Sequence, residues 1–285
     1  MPTILVTGAT GHLGRLIVEG LLRDGIAPAD ITAGGRQVDK LGDLAARGVR
    51  VARIDYDEPA SLAAAIEGHD TLVLVSASEP GHRVDQHRAA IDAAVAAGVS
   101  RIVYTSATRA TTSELILAPE HKATEELIAA SGIPATILRN NWYTENYAGT
   151  LDLARETGVV ASSAGDGRVA SASRVDYADA VAAVLTSEGH EGRVYELSGD
   201  VAWTFAELAA AISTVVGREV VYERLDRDSH LAALAAAGPP DGTAQFVVAL
   251  DQNIRDGALA ETSGDLSRLI GRPTTPLVDG LTATQ

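Results

Sequence analysis

Near the start of the chain, Thr7-Gly8-Ala9-Thr10-Gly11-His12-Leu13-Gly14 constrains the fold more than any other stretch. It follows the β-branched run Ile4 to Thr7. It precedes a helical pattern of apolar residues (Leu13, Leu16, Ile17, Val18, Leu21, Leu22) that Gly25 ends. Between a strand and a helix, glycines at this spacing form a dinucleotide-binding turn. Gly8 permits the tight turn, Gly11 lets backbone N–H groups approach a pyrophosphate, and Gly14 allows the helix to pack closely on the strand. The helix N-terminus then faces the phosphate charge, with Thr10, His12 and Leu13 completing the turn. Arg15 follows Gly14, where a nucleoside triphosphate loop would need lysine.

The rest of the first half repeats the rhythm this turn demands. Short β-branched runs at Ile31 to Ala33, Val49 to Ile54, Thr71 to Val75, Arg101 to Thr105 and Thr136 to Arg139 alternate with helical patterns. Strands this apolar belong in a sheet covered by helices on both faces, so the fold class is α/β, a doubly wound parallel sheet of Rossmann type. After Asn140 the pattern loosens. Ala164 to Arg168 reads as a hairpin turn, Asp176 to Leu185 as a helix and Val194 to Leu197 as a strand returning to the sheet. Thr204 and Glu207 form a capping-box pattern, and the stretch beyond Val201, with Pro239, Pro240, Pro273 and Pro276, reads as a smaller helical cap. The expected division is a dinucleotide-binding core over 1–150, joined by 171–200, and a substrate-binding cap over 151–170 and 201–285.

The second strand bears on which cofactor binds. An NAD site places an acidic residue about 20 positions beyond the glycines. Gly34, Gly35 and Arg36 stand there instead, with Lys40 one turn on, and an arginine pairs well with a 2′-phosphate. NADPH is therefore favoured; Asp39 blunts the preference, which leaves NADH open. Asp55, ending the third strand, is a candidate acceptor for the adenine amino group or the cap of a turn. Ser76, Ala77 and Ser78 follow the fourth strand at the edge where such ligands lie.

Composition narrows the classes. A net charge of -15 repels phosphate backbones and anionic lipid, so neither nucleic acid nor membrane is an expected partner. The absence of cysteine removes thiolate chemistry and disulfides, and a cytoplasmic setting is the default expectation. The seven histidines make no metal-binding pattern, and no nucleophile elbow is present, so no metal is assigned.

At several points the chain resembles the atypical short-chain dehydrogenase/reductases of the NmrA-like branch, in particular the type-two NAD(P)H quinone oxidoreductases and the triphenylmethane dye reductases. The residues that carry the likeness include Ile4 to Gly8, Gln86-His87-Arg88, Ala97-Gly98-Val99, Val103 to Ser106, Gly189 to Gly192, Ala202-Trp203-Thr204 and Asp265-Leu266. The most specific stretch is Leu138-Arg139-Asn140-Asn141-Trp142-Tyr143-Thr144-Glu145-Asn146-Tyr147. The resemblance implies NADPH along the sheet edge, with Asn140 to Glu145, including Asn141, Trp142 and Tyr143, beside the nicotinamide, Arg174 nearby, and a quinone-like acceptor above it.

One departure matters more than the likeness. Ordinary short-chain reductases use a tyrosine four residues before a lysine to protonate a carbonyl oxygen. The chain has two lysines, Lys40 and Lys122, and Ala118 stands four before Lys122. A ketone accepting hydride becomes a strongly basic alkoxide that needs an acid, whereas a quinone becomes a delocalised phenolate. Proximity to the nicotinamide suffices for the latter. The candidate helpers are Tyr143, His121 as a relay near neutral pH, Lys122 and Ser106. Asn140 or Asn141 is a further candidate, to hold the carboxamide or the substrate, and plainer readings are Asn141 as a helix cap, Tyr143 and Tyr147 as a packed pair, His121 as a solvated helix residue and Ser106 as an anchor for Thr105 or a water. The expected function is hydride transfer from NADPH to a quinone or similar conjugated acceptor. A ketone, imine or alkene reductase and a non-catalytic NADP-binding sensor are the alternatives, and a homodimer is left open.

Overall fold

The structure, a computed structural model, describes residues 2–238 and 242–284; Pro239 and Pro240 of the expected cap lie outside the described residues. In chain order the main elements are β1 (Ile4–Val6), α1 (His12–Arg23), β2 (Ile31–Gly35), α2 (Gly42–Ala46), β3 (Arg50–Arg53), α3 (Pro59–Ile66), β4 (Thr71–Leu74), α4 (Arg83–Ala97), β5 (Arg101–Ala107), α5 (Ala118–Ser131) and β6 (Ala135–Asn140). There follow α6 (Ala148–Thr157), β7 (Val159–Ser162), β8 (Arg168–Val169), α7 (Arg174–Thr186), β9 (Val194–Leu197), β10 (Trp203–Thr204), α8 (Phe205–Val216), β11 (Val221–Arg224), α9 (Arg227–Ala236), α10 (Thr243–Arg255), α11 (Asp265–Ile270) and α12 (Leu277–Thr282).

The chain divides into two compact units. The first comprises Met1–Thr111, Leu117–Asn140 and Arg174–Glu196; the second comprises Thr112–Ile116, Asn141–Ser173 and Leu197–Gln285. A seven-stranded sheet ordered β3-β2-β1-β4-β5-β6-β9 organises the first unit, and its pairings from β3 to β6 are parallel. The strand order reverses between β1 and β4, and at such a switch point the loops that leave the carboxyl ends of neighbouring strands diverge to open a crevice. Buried Leu5, Leu72, Leu74, Ile102 and Tyr104 fill one face of the sheet against α3, α4 and α5. On α1, Leu13, Ile17, Val18 and Leu21 are buried, each worth about 1.5–3 kcal/mol relative to exposure. The buried Gly20 faces α7, where an added Cβ would meet Ala182 Cβ at 3.5 Å, an ordinary van der Waals contact.

The second unit has no broad sheet among its described residues. β7 pairs with β11 in parallel and β8 with β10 antiparallel. This corrects the hairpin expected at Ala164 to Arg168. The turn exists, with Gly167 N donating to Ala164 O at 3.0 Å, but the strands on either side of it pair with different partners. Helices α6 and α8 to α12 form most of the remainder, and α8 starts with the expected capping box, Thr204 Oγ1 accepting from Glu207 N and Glu207 Oε2 from Thr204 N.

Candidate functional site

The glycine turn is held by contacts that tolerate no side chain. An ideal Cβ on Gly14 would lie 2.3 Å from Gly8 O, and one on Gly35 would lie 2.6 Å from the Thr10 side chain. Gly8 has φ +63°, which favours glycine. Gly11 N donates to Gly8 O at 2.9 Å, and no side chain caps α1 at Gly11. The first amides of α1 thus meet no capping side chain, and Gly11 and His12 are exposed. A pyrophosphate fits this cradle, because backbone N–H groups and the helix dipole are what it requires.

Around the switch point the first unit adds Arg36 beyond β2 and Ser76 to Ser78 beyond β4. Arg36 is exposed and its Nη2 lies 2.8 Å from Glu79 Oε1. Ser76 N donates to Thr105 Oγ1 at 3.0 Å. Ala77 is fastened on both sides, its N–H donating to His87 Nε2 at 3.0 Å and its carbonyl accepting from Arg83 Nε at 2.8 Å. Asp55 lies two residues beyond β3, where it shapes a turn: its Oδ1 accepts from Asp57 N, and its Oδ2 lies 3.2 Å from Arg53 Nη2.

The side chains singled out for proton transfer take other positions. His121 is buried on α5 with its Nδ1 2.8 Å from the Tyr104 hydroxyl. Burial first, then the nearby Arg83 and His87, lowers its pKa to about 3. His121 is therefore neither a solvated residue nor a relay that titrates near neutral pH, which corrects both readings. Lys122, its neighbour, is exposed, and Ala118 is buried at the start of α5. The Ser106 hydroxyl donates to Glu125 Oε1 at 2.6 Å. Glu125 also takes Arg139, whose Nε and Nη2 reach its two oxygens at 2.9 and 2.6 Å, while Arg139 Nη1 meets Glu196 Oε1 at 2.9 Å. Asn140 ends β6, its carbonyl accepting from Thr108 N, and Arg174 opens α7.

In the second unit, Asn141, Trp142 and Tyr143 run alongside Ala172. Thr144 N donates to Ala172 O at 2.9 Å, and Ala172 N donates to Trp142 O at 3.2 Å. Asn141 N donates to Leu197 O and its Nδ2 to Leu259 O. Its Oδ1 accepts from Trp142 N at 2.7 Å, so Asn141 builds the loop rather than capping a helix; Tyr143 stands at the N-cap position of the 3-10 turn Thr144–Tyr147 without a side-chain cap hydrogen bond. Tyr147 packs edge-on against Trp203 and Phe205. A buried group of Ser163, His230 and Asp251 does not form a hydrolytic relay. Ser163 Oγ and Asp251 Oδ2 both approach the same ring nitrogen, His230 Nδ1, at 3.1 and 3.0 Å, so no proton can pass across the ring.

Glu79, Arg83, Glu120, His87 and Arg139 take roles in the structure that their sequence surroundings do not assign. Their distant pairings, Arg36 with Glu79, Arg83 with Glu120 and His87 with Thr124 across 37 or more positions and Arg139 with Glu125 and Glu196 across 14 and 57, leave no signal in local spacing. No set of three or more His, Cys, Asp or Glu residues able to hold a metal occurs among the described residues, and no described helix is long and apolar enough to cross a membrane.

Comparison with known proteins agrees with this geometry. A family model described as NAD(P)H-binding matches residues 8–188. Quinone oxidoreductase 2 of Escherichia coli is 46% identical over 278 residues, covering 98% of this chain and 97% of that protein. The crystal structure of an Escherichia coli NADPH-dependent quinone oxidoreductase complexed with NADPH superposes with a TM-score of 0.94 at 46% identity, covering 99% of each chain. The triphenylmethane reductase of Citrobacter sp. complexed with NADP(H) gives a TM-score of 0.94 at 38% identity, covering 99% of this chain and 100% of that one. The chain belongs to the NAD(P)H-binding family, on the NmrA-like branch that its sequence resembles.

Proposed function

We propose that this protein is a reductase that uses NADPH to reduce quinones or similarly conjugated small molecules, working in the cytoplasm. The observation that carries the acceptor class is the polar arrangement on β5 and α5. Where a ketone reductase needs an acid, Ala118 offers none, His121 is neutral, and the Ser106 hydroxyl is committed to Glu125. An acceptor whose reduced oxygen is stabilised by conjugation suits such a site, since its proton can arrive later from water. The relatives named for quinone and dye reduction support the same class.

In this reading Gly8, Thr10, Gly11, His12, Leu13 and Gly14 hold the pyrophosphate, Arg36 receives the 2′-phosphate, and Asp55 borders the adenine. Ser76 to Ser78, Asn140 to Tyr143 and Arg174 flank the nicotinamide half. The bound cofactor supplies the hydride. The chain's own contribution is to orient both reactants and to exclude competing water, with Tyr143 the side chain assigned to the acceptor oxygen. Residues beyond Val201 set which acceptor is preferred. The test mixes purified protein with NADPH and a panel of a benzoquinone, a naphthoquinone, a triphenylmethane dye and an aliphatic ketone, following loss of the reduced-nicotinamide absorbance. Quinone or dye turnover without ketone turnover is expected. Ketone turnover alone, or none at all, overturns the proposal.

A further inference from the structure

We infer that Glu79 tempers the preference for a 2′-phosphorylated cofactor by holding a fixed carboxylate against Arg36. The inference rests on the proposal that Arg36 receives the 2′-phosphate. Arg36 follows β2 and Glu79 follows β4, the two strands that flank β1 and its glycine turn. Their ion pair, at 2.8 Å, therefore bridges the strands on either side of the dinucleotide turn.

The two partners differ in freedom. Glu79 Oε2 accepts from the buried Gln86 Nε2 at 2.9 Å, leaving Oε1 for Arg36. The loop that carries Glu79 is fastened at both ends. At Ala77, the amide donates to His87 Nε2, so the ring hydrogen sits on Nδ1 and is donated to Thr124 Oγ1 at 2.9 Å. Thr124 in turn donates to Glu120 O at 2.9 Å. Burial lowers the His87 pKa to about 3, so Nε2 remains an acceptor at neutral pH. At Gly81, the amide donates to Glu120 Oε1 at 2.6 Å, and Glu120 pairs with the buried Arg83. By contrast Arg36 is a long, exposed side chain at a strand end, free to turn about its torsions.

An incoming 2′-phosphate must take the guanidinium from Glu79 or share it, and it approaches a carboxylate whose other oxygen is held by Gln86. A 2′-hydroxyl carries no charge and can donate to that same carboxylate. Arg36 thus draws the site toward NADPH while Glu79 keeps NADH competitive, a balance that the arginine alone would not give.

The experiment measures dissociation constants of NADPH and NADH by calorimetry on the full chain, for the parent, Glu79→Gln, Arg36→Gln and the double variant. Glu79→Gln is expected to tighten NADPH about fivefold, the upper range for an exposed pair, and to leave NADH unchanged or weaker. The gain should shrink as salt is raised and should largely vanish in the Arg36→Gln background. Arg36→Gln alone should weaken NADPH about tenfold and spare NADH. If Arg36→Gln weakens both cofactors alike or neither, the phosphate assignment falls, and the inference with it. If Arg36→Gln discriminates but Glu79→Gln weakens NADPH, shifts both cofactors equally or changes neither, the inference alone is overturned.

Discussion

In the first unit a loop inherits its position from a strand of the parallel sheet before it and a helix after it, so the glycine turn and Ser76 to Ser78 arrive at the switch point through backbone pairing. In the second unit, whose described strands pair only two by two, the loop Ser163 to Gly167 after β7 has no such frame. A buried carboxylate does the organising there. Asp251 Oδ2 on α10 accepts from Ser162 Oγ at 2.8 Å, Ser163 N at 2.7 Å and Ser163 Oγ at 3.1 Å, and lies 3.0 Å from His230 Nδ1. Where ladder hydrogen bonds are few, one side-chain acceptor satisfies several buried donors at once, and all of them then depend on it. The first unit spreads the same task over neutral imidazoles and hydroxyls, each with few partners.

The comparison breaks most sharply at Asp251. Asp251→Ala leaves the Ser162 hydroxyl without its acceptor and leaves the Ser163 amide and His230 Nδ1 only each other and the Ser163 hydroxyl, and should cost about 2–4 kcal/mol. Calorimetry should show a fall in melting temperature of roughly 10 °C for a chain of this size. A loss below about 1 kcal/mol would show that β7 and β11 hold this loop without the carboxylate.

Acid tests the first unit. His87 and His121 both have pKa values near 3, below the 6.5 of an exposed imidazole, because burial penalises the charged ring. As pH falls below about 6.5 the unfolded chain takes up protons that the folded chain refuses. Each imidazole therefore costs about 2 kcal/mol of stability by pH 5 and nothing above neutrality. Urea unfolding at pH 7 and pH 5 measures the sum. His87→Gln keeps an acceptor for the Ala77 amide and does not titrate, so it should remove about half of the acid loss attributed to the two rings. An unchanged loss would mean that His87 is not the cause.

The same contrast explains what could be read from the residues alone. The sheet was legible because Ile4 to Thr7, Thr71 to Val75 and Arg101 to Thr105 are short apolar runs with turn residues between them, and because Thr204 and Glu207 spell a cap within four positions. The glycine turn was legible because its contacts are local, Gly14 against Gly8. His121 is not legible as a buried residue because the groups that set its environment, Tyr104 on β5 and Arg83 and His87 on α4, come from other elements. Asp251 and Glu79 were missed for the same reason. Their partners are set by tertiary packing, which periodicity does not encode. The hairpin at Ala164 failed because a turn signal specifies the turn and not the partners of the strands it joins.

The smallest effect concerns the glycines, and it sharpens the comparison by separating tight positions from merely glycine ones. A Cβ on Gly14 would lie 2.3, 2.5 and 2.8 Å from Gly8 O, Gly8 C and Ala9 N, all backbone atoms, so Gly14→Ala must open the turn. Overpacking of this kind costs about 1–3 kcal/mol, and if the strain falls on the turn, NADPH binds roughly tenfold to a hundredfold more weakly. Gly20, six residues on in the same helix, has only ordinary contacts, so Gly20→Ala should leave NADPH affinity intact and gain up to about 1 kcal/mol of helix stability. In the second unit Gly199 is as tight as Gly14, its Cβ falling 2.1 Å from Ser171 O, yet no ligand motif marks it. Gly199→Ala should therefore lose stability on the scale of Gly14→Ala. Thermal melts and NADPH titrations of the three variants distinguish the cases: equal NADPH affinity for Gly14→Ala and Gly20→Ala would show that the turn flexes, and that close packing of helix on strand does not shape the cofactor cradle.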